Sequence, residues 1–111
     1  MLIVVLFVEA ETEIPAEVQE RVDKAMDRLS QVAGLRDEQR SGIEPLILEM
    51  LLQARVIIQD TATPLETRQE QMTVLLETTR TQIEPRLENT KKAGFDMVWN
   101  RVSEGVMGRL E

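Results

Sequence analysis

The sixteen residues from Ile43 to Ile58 include eleven apolar side chains, set nearly all round a helix and not along one stripe. Ile43, Leu46, Ile47, Met50, Ala54 and Ile57 share one face at steps of three and four, while Leu48, Leu52 and Val56 fall on the far side. A helix apolar on most of its circumference has to be covered on several sides. A chain of 111 residues forms a single core and supplies few other helices to do the covering. The expectation is an all-α fold, an antiparallel helical bundle of three to five helices in one domain over 1–111. The crowded helix then completes its burial against a second copy about a two-fold axis. Leu48, Leu51, Leu52 and Val56 are the candidate interface residues. Trp99, the lone tryptophan, joins them because tryptophan concentrates at interface hot spots, with a place in the core as its competing reading.

Helix signals frame this segment, and the candidate helices are 15–33, 43–60, 64–93 and 95–109. Pro15 suits a first helical position, where its missing N–H has no partner to lose. Ile14, Val18, Val22, Ala25, Met26, Leu29, Val32 and Ala33 then form one apolar stripe that Gly34 can end in a left-handed cap. Ser41 and Glu44 stand three apart as a capping box for the second helix, which puts Pro45 in its first turn. Thr63, Pro64 and Glu66 make the same kind of start for a third helix, with Leu65, Met72, Leu76, Thr79 and Ile83 as its stripe. Pro85 predicts a kink or break near Glu84, beyond which the helix resumes to Lys91 and Lys92 and is capped by Gly94. Phe95, Trp99, Val102, Val106 and Leu110 read as a short amphipathic helix weakened by Gly105 and Gly108, with a strand over 95–102 as the alternative.

Residues 28–45 and 68–85 match at seven of eighteen positions with a constant offset, both ending in Ile-Glu-Pro. A tandem helix-pair duplication predicts that Pro45 and Pro85 occupy equivalent bends, while shared amphipathic composition is the competing explanation. Ahead of the first helix, residues 1–14 comprise the apolar run Met1–Val8 and an acidic linker. The run is β-branched and aromatic, so it reads equally as an N-terminal strand or a buried helix. It is far shorter than the roughly 20 residues of a membrane span. No basic residue precedes it, as a secretory leader requires, so cytoplasmic residence is expected.

With no Cys, His or Tyr, the chain lacks disulfides, Cys or His metal ligands and imidazole-based triads. No phosphate-binding glycine motif occurs among its five glycines. Twenty acidic against thirteen basic residues give a net charge of −7, and the basic ones are scattered along the sequence. Nucleic acid is therefore not an expected partner, nor is a membrane surface. Glu13, Glu17, Glu20, Asp23 and Asp27 form an acidic ridge whose spacing resembles the carboxylates of all-α Mg²⁺-dependent nucleotide pyrophosphohydrolases. No second carboxylate pair faces it in sequence, and Glu20, Asp23 and Asp27 cluster opposite the apolar stripe, so a solvated helix face is the expected reading. The expectation is a non-catalytic, oligomeric helical interaction or scaffold protein without cofactor or metal, whose partner is itself or another protein. A Mg²⁺-dependent hydrolase using the ridge and an acidic, antitoxin-like inhibitor of a basic protein are the alternatives.

Overall fold

A computed structural model describes residues 14–88 and 91–110, and these form an all-α antiparallel bundle. Its helices are α1 (Ala16–Ala33), α2 (Asp37–Gln59), α3 (Leu65–Ile83) and α4 (Lys92–Gly108), with a 3₁₀ turn at Glu84–Arg86 between the last two. In space α2 packs on α1 and α3, and α4 packs on α1. The choice between strand and helix for the apolar run Met1–Val8 lies outside the described residues.

The helix starts follow proline chemistry, displaced by one residue from the sequence expectation. Pro15 and Pro64 both sit just outside their helices with ψ near 138° and 147°, and the carbonyl of each accepts the first helical N–H bonds. Gly34 ends α1 as expected, in the left-handed region at φ 62°, with its N–H donating to Ser30 O at 3.0 Å. Only a residue without Cβ holds that conformation at little cost.

The start of α2 is a correction. The helix begins at Asp37 and not after Ser41, so Ser41 is no cap and Pro45 lies well inside the helix. Two local features account for this. Asp37 and Glu38 place negative charge on the positive end of the helix, and Gln39 Oε1 accepts the Arg36 N–H at 3.0 Å. Pro45 has no N–H to donate to Ser41 O, and both residues lie on the exposed side of α2, where water can reach that carbonyl.

Gln39 also ties three elements together. Its Nε2 donates to Arg86 O at 3.2 Å, and its Oε1 accepts from Lys91 Nζ at 3.1 Å, so one buried amide joins α2 to the 3₁₀ turn and to the start of α4. Replacing Gln39 with leucine leaves these part-buried partners without their amide and is expected to cost about 1–2 kcal/mol of stability in a urea titration. An unchanged midpoint would mean that the network carries no load.

Pro85 ends α3 at Ile83 and forces the 3₁₀ turn, but the helix does not resume as expected. Lys92 opens α4 instead of closing the preceding helix, and Gly94 lies inside α4 and caps nothing. The reason is tertiary. Arg36 meets Glu88 at 3.0 Å, and Arg80 meets Asp96 at 2.6 Å, across the chain reversal between α3 and α4, on either side of which Leu87 and Phe95 enter the core. The segment from Phe95 onward is helical, so the strand alternative over 95–102 falls away.

The duplication also loses its structural basis. Residues 28–45 run from α1 through the Gly34 turn into α2, whereas residues 68–85 lie in α3 and the turn that ends it. Pro45 is inside a helix and Pro85 ends one, so the two are not equivalent bends.

The core gathers Val22, Met26 and Leu29 of α1, Ile43, Ile47 and Met50 of α2, Met72 and Ile83 of α3, and Phe95 of α4, all essentially without exposure. Three residues assigned to the sequence stripes lie outside it: Ile14, Val32 and Leu65 are all exposed. They sit at or near helix ends, and Val32 stays 47% exposed although α4 passes close to its backbone at Gly94.

Candidate interaction surfaces

The five candidate interface residues do not share one surface. Leu51 and Trp99 belong to the interior: Leu51 lies with Ala54 in the core, and Trp99 stacks on Phe95 with ring centroids 5.5 Å apart. With 7% and 4% of their surfaces exposed, Leu51 and Trp99 offer a second copy little area, unlike the open interface expected of them. Leu48 and Leu52 are half-buried against the core edge, while Val56 is 67% exposed. Spaced by four, these three form a short apolar row on the outer side of α2. Intramolecular cover of α2 is thus more complete than its sequence predicts, because α1 and α3 flank it on both sides and take up Ile43, Ile47, Met50, Leu51 and Ala54.

The acidic ridge of α1 is a solvated face. Glu20 pairs with Lys24 at 3.2 Å, Asp23 accepts from Gln19 Nε2 at 3.0 Å, and Asp27 lies 3.8 Å from Arg40. Each carboxylate is engaged singly by a neighbour. Among the described residues no group of three or more carboxylates converges on a point where a cation could sit. Glu13 lies outside the described residues.

Sequence reasoning missed a different constellation. A groove of about 220 Å³ lies where α2 and α4 converge on α1, floored by Ala25, Leu51, Val102, Gly105 and Val106. Arg21, Lys24, Arg28, Arg101 and Arg109 rim it. It continues into a recess of about 110 Å³ beside Glu17, Val18, Ala54, Arg55 and Ile58. Residues far apart in sequence meet here: Arg21, Lys24 and Arg28 follow the three- and four-residue spacing of α1, while Arg101 lies on α4 and Arg109 just past its end, about two turns on. The signal was present in those spacings, but only the packing of α4 on α1 merges the two rows.

Electrostatically the groove stands apart from the rest of an acidic chain. Burial of Arg21, reinforced by nearby Arg109, pushes its pKa below the ordinary guanidinium value, against the opposing pull of Glu17 and Glu20. It remains charged at any physiological pH. Arg55 lies 3.7 Å from Glu17, and its buried Nε has no hydrogen-bond acceptor among the described residues.

A second cleft, about 330 Å³, opens between α3 and α4 and is lined by Thr73, Glu77, Arg80, Trp99, Asn100 and Ser103, among others. Arg80 there is committed to Asp96 and Glu84. No described helix is long and apolar enough to cross a membrane. Comparison of the chain with protein-family models, curated proteins and solved structures finds no match.

Proposed function

We propose that the chain is a non-catalytic helical interaction protein that associates with a second copy of itself in the cytoplasm. The observation that carries this reading is the outer row of α2, half-buried Leu48 and Leu52 and exposed Val56, which is left after α1 and α3 have covered the inner apolar face of that helix. In a two-fold arrangement the row meets its own copy antiparallel, so each apolar side chain finds a partner of the same kind. Pro45 extends the exposed strip toward the start of α2, and the flanking Glu49 and Gln53 provide a polar rim.

A charge at the most exposed position tests it. Val56→Glu sets an unpaired carboxylate against the apolar row of the second copy without touching the core, and it is expected to weaken self-association at least tenfold in sedimentation velocity over a dilution series. A native chain that sediments as a monomer at every concentration overturns the reading. So does a Val56→Glu variant that associates as tightly as the native chain.

A further inference from the structure

The groove between α1 and α4 is apolar along its floor and basic on both banks. The two helices run antiparallel, with Gly94 beside Val32 at one end and Arg109 close to Arg21 at the other. Arg21 and Arg109 also line the recess that continues the groove, whereas Arg28 and Arg101 line the groove alone and mark its far end. Each end therefore carries one arginine from either side, and Leu51, Val102 and Val106 lie between them. Gathering like charges costs free energy, and among the described residues none of these four arginines has a carboxylate within ion-pair distance. We propose that the groove receives an acidic amphipathic helix of another protein, with its apolar stripe on the floor and its carboxylates on the two banks.

Charge and shape select this occupant. From Arg21 to Arg28 the bank advances about 10 Å, two turns of helix, so carboxylates at i and i+7 reach both ends while residues at i+3 and i+4 rest on the floor. A helix satisfies its own backbone hydrogen bonds, and neither α1 nor α4 has a sheet edge to offer an extended peptide. A fatty acid carries charge at one end only, whereas the groove is basic at both. Among the described residues no aromatic ring lines the groove to stack a nucleic-acid base. The net charge of −7 repels an acidic helix at long range, so attraction is confined to where the arginines gather. Exposed ion pairs contribute little singly, and the apolar stripe and the acidic flanks are both required. The groove is built without the outer row of α2, so the proposal is independent of self-association through that row.

The probe is a fluorescently labelled peptide of about four helical turns, with leucines at steps of three and four and glutamates flanking them on both sides. By fluorescence anisotropy it is expected to bind the full chain at least tenfold tighter than a peptide of the same composition without the stripe, and at least tenfold tighter than its lysine-flanked counterpart. Gly105→Glu sets a carboxylate one turn from both Arg101 and Arg109, where an added Cβ meets nothing within 4 Å, so the variant keeps its fold and neutralises that bank. It is expected to weaken peptide binding at least fivefold, as is Arg101→Glu. Lys92→Glu, an equal charge reversal at an exposed position of α4 outside the groove, is expected to change affinity less than twofold, and Val56→Glu to leave it unchanged. Circular dichroism confirms that each variant is folded. No measurable binding, or equal binding of the striped and unstriped peptides, overturns the proposal. So does a loss with Lys92→Glu as large as with Arg101→Glu, which reduces the effect to net charge, or a loss with Val56→Glu, which moves the peptide to α2. Decanoate or oligothymidylate that binds more tightly than the peptide and displaces it also overturns the proposal, by assigning the groove to a small amphiphile or to single-stranded nucleic acid.

Discussion

Replacing Phe95 with alanine is expected to lower the free energy of unfolding by about 3–5 kcal/mol, the usual loss for truncating a fully enclosed aromatic ring. Phe95 has no exposed surface and stacks on Trp99 at an interplanar angle of 25°. Its removal forfeits the transfer free energy of the ring, leaves a cavity against α1, and strips Trp99 of its aromatic partner. Domains of this size have a total stability of about 5–15 kcal/mol, so the variant should be close to unfolding at ambient temperature. The single tryptophan makes the measurement direct, because Trp99 is only 4% exposed and its emission shifts to longer wavelength when the core opens. Phe95→Leu should lose less than half as much, since most of the volume is retained. A loss of under about 1 kcal/mol for Phe95→Ala would place this ring outside the core.

Alanine at Gly94 and alanine at Gly105 are expected to change stability in opposite directions. Both glycines lie within α4, where alanine ordinarily stabilises a helix by about 1 kcal/mol. At Gly105 nothing lies within 4 Å of an added Cβ, so that gain should be realised. At Gly94 the same carbon would come within 2.8 Å of Val32 O and 3.1 Å of Val32 C. Those atoms are backbone at the end of α1 and cannot rotate aside, so α4 must lift away from α1. We expect a net loss of about 1–3 kcal/mol for Gly94→Ala and a gain of about 0.5–1 kcal/mol for Gly105→Ala. Thermal unfolding of the two variants side by side checks this. A stabilised Gly94→Ala would contradict the close approach of the two helices.

These two glycines show what a linear reading can and cannot reach. Spacing alone located the stripes of α1, α3 and α4, because burial of one helix face demands apolar residues at steps of three and four whatever the neighbour is. The same reading took Gly94 for a cap and Ser41 for a helix start. Glycine and serine have several uses, and which one applies depends on what lies across from them: Val32 in the first case, and the Gln39 network upstream in the second. Trp99 followed the same logic, since its large apolar ring suits an interface and an interior equally. The candidate groove was illegible for a related reason. Its arginines, Arg21 and Arg28 on α1 and Arg101 and Arg109 in and just past α4, became one cluster when α4 packed on α1.

Amino-acid order alone determined that this protein is helical, where most of its helices lie, and that α2 is apolar on too many sides to stand alone. Those properties arise from neighbours within a few turns of the same helix, through periodicity, prolines and the Gly34 stop. Tertiary packing decided how much of α2 is left open, which tryptophan environment exists, and where six of the thirteen basic side chains gather around one apolar groove. Exposure and local field depend on distances between residues remote in sequence, and those distances are set only when the helices dock.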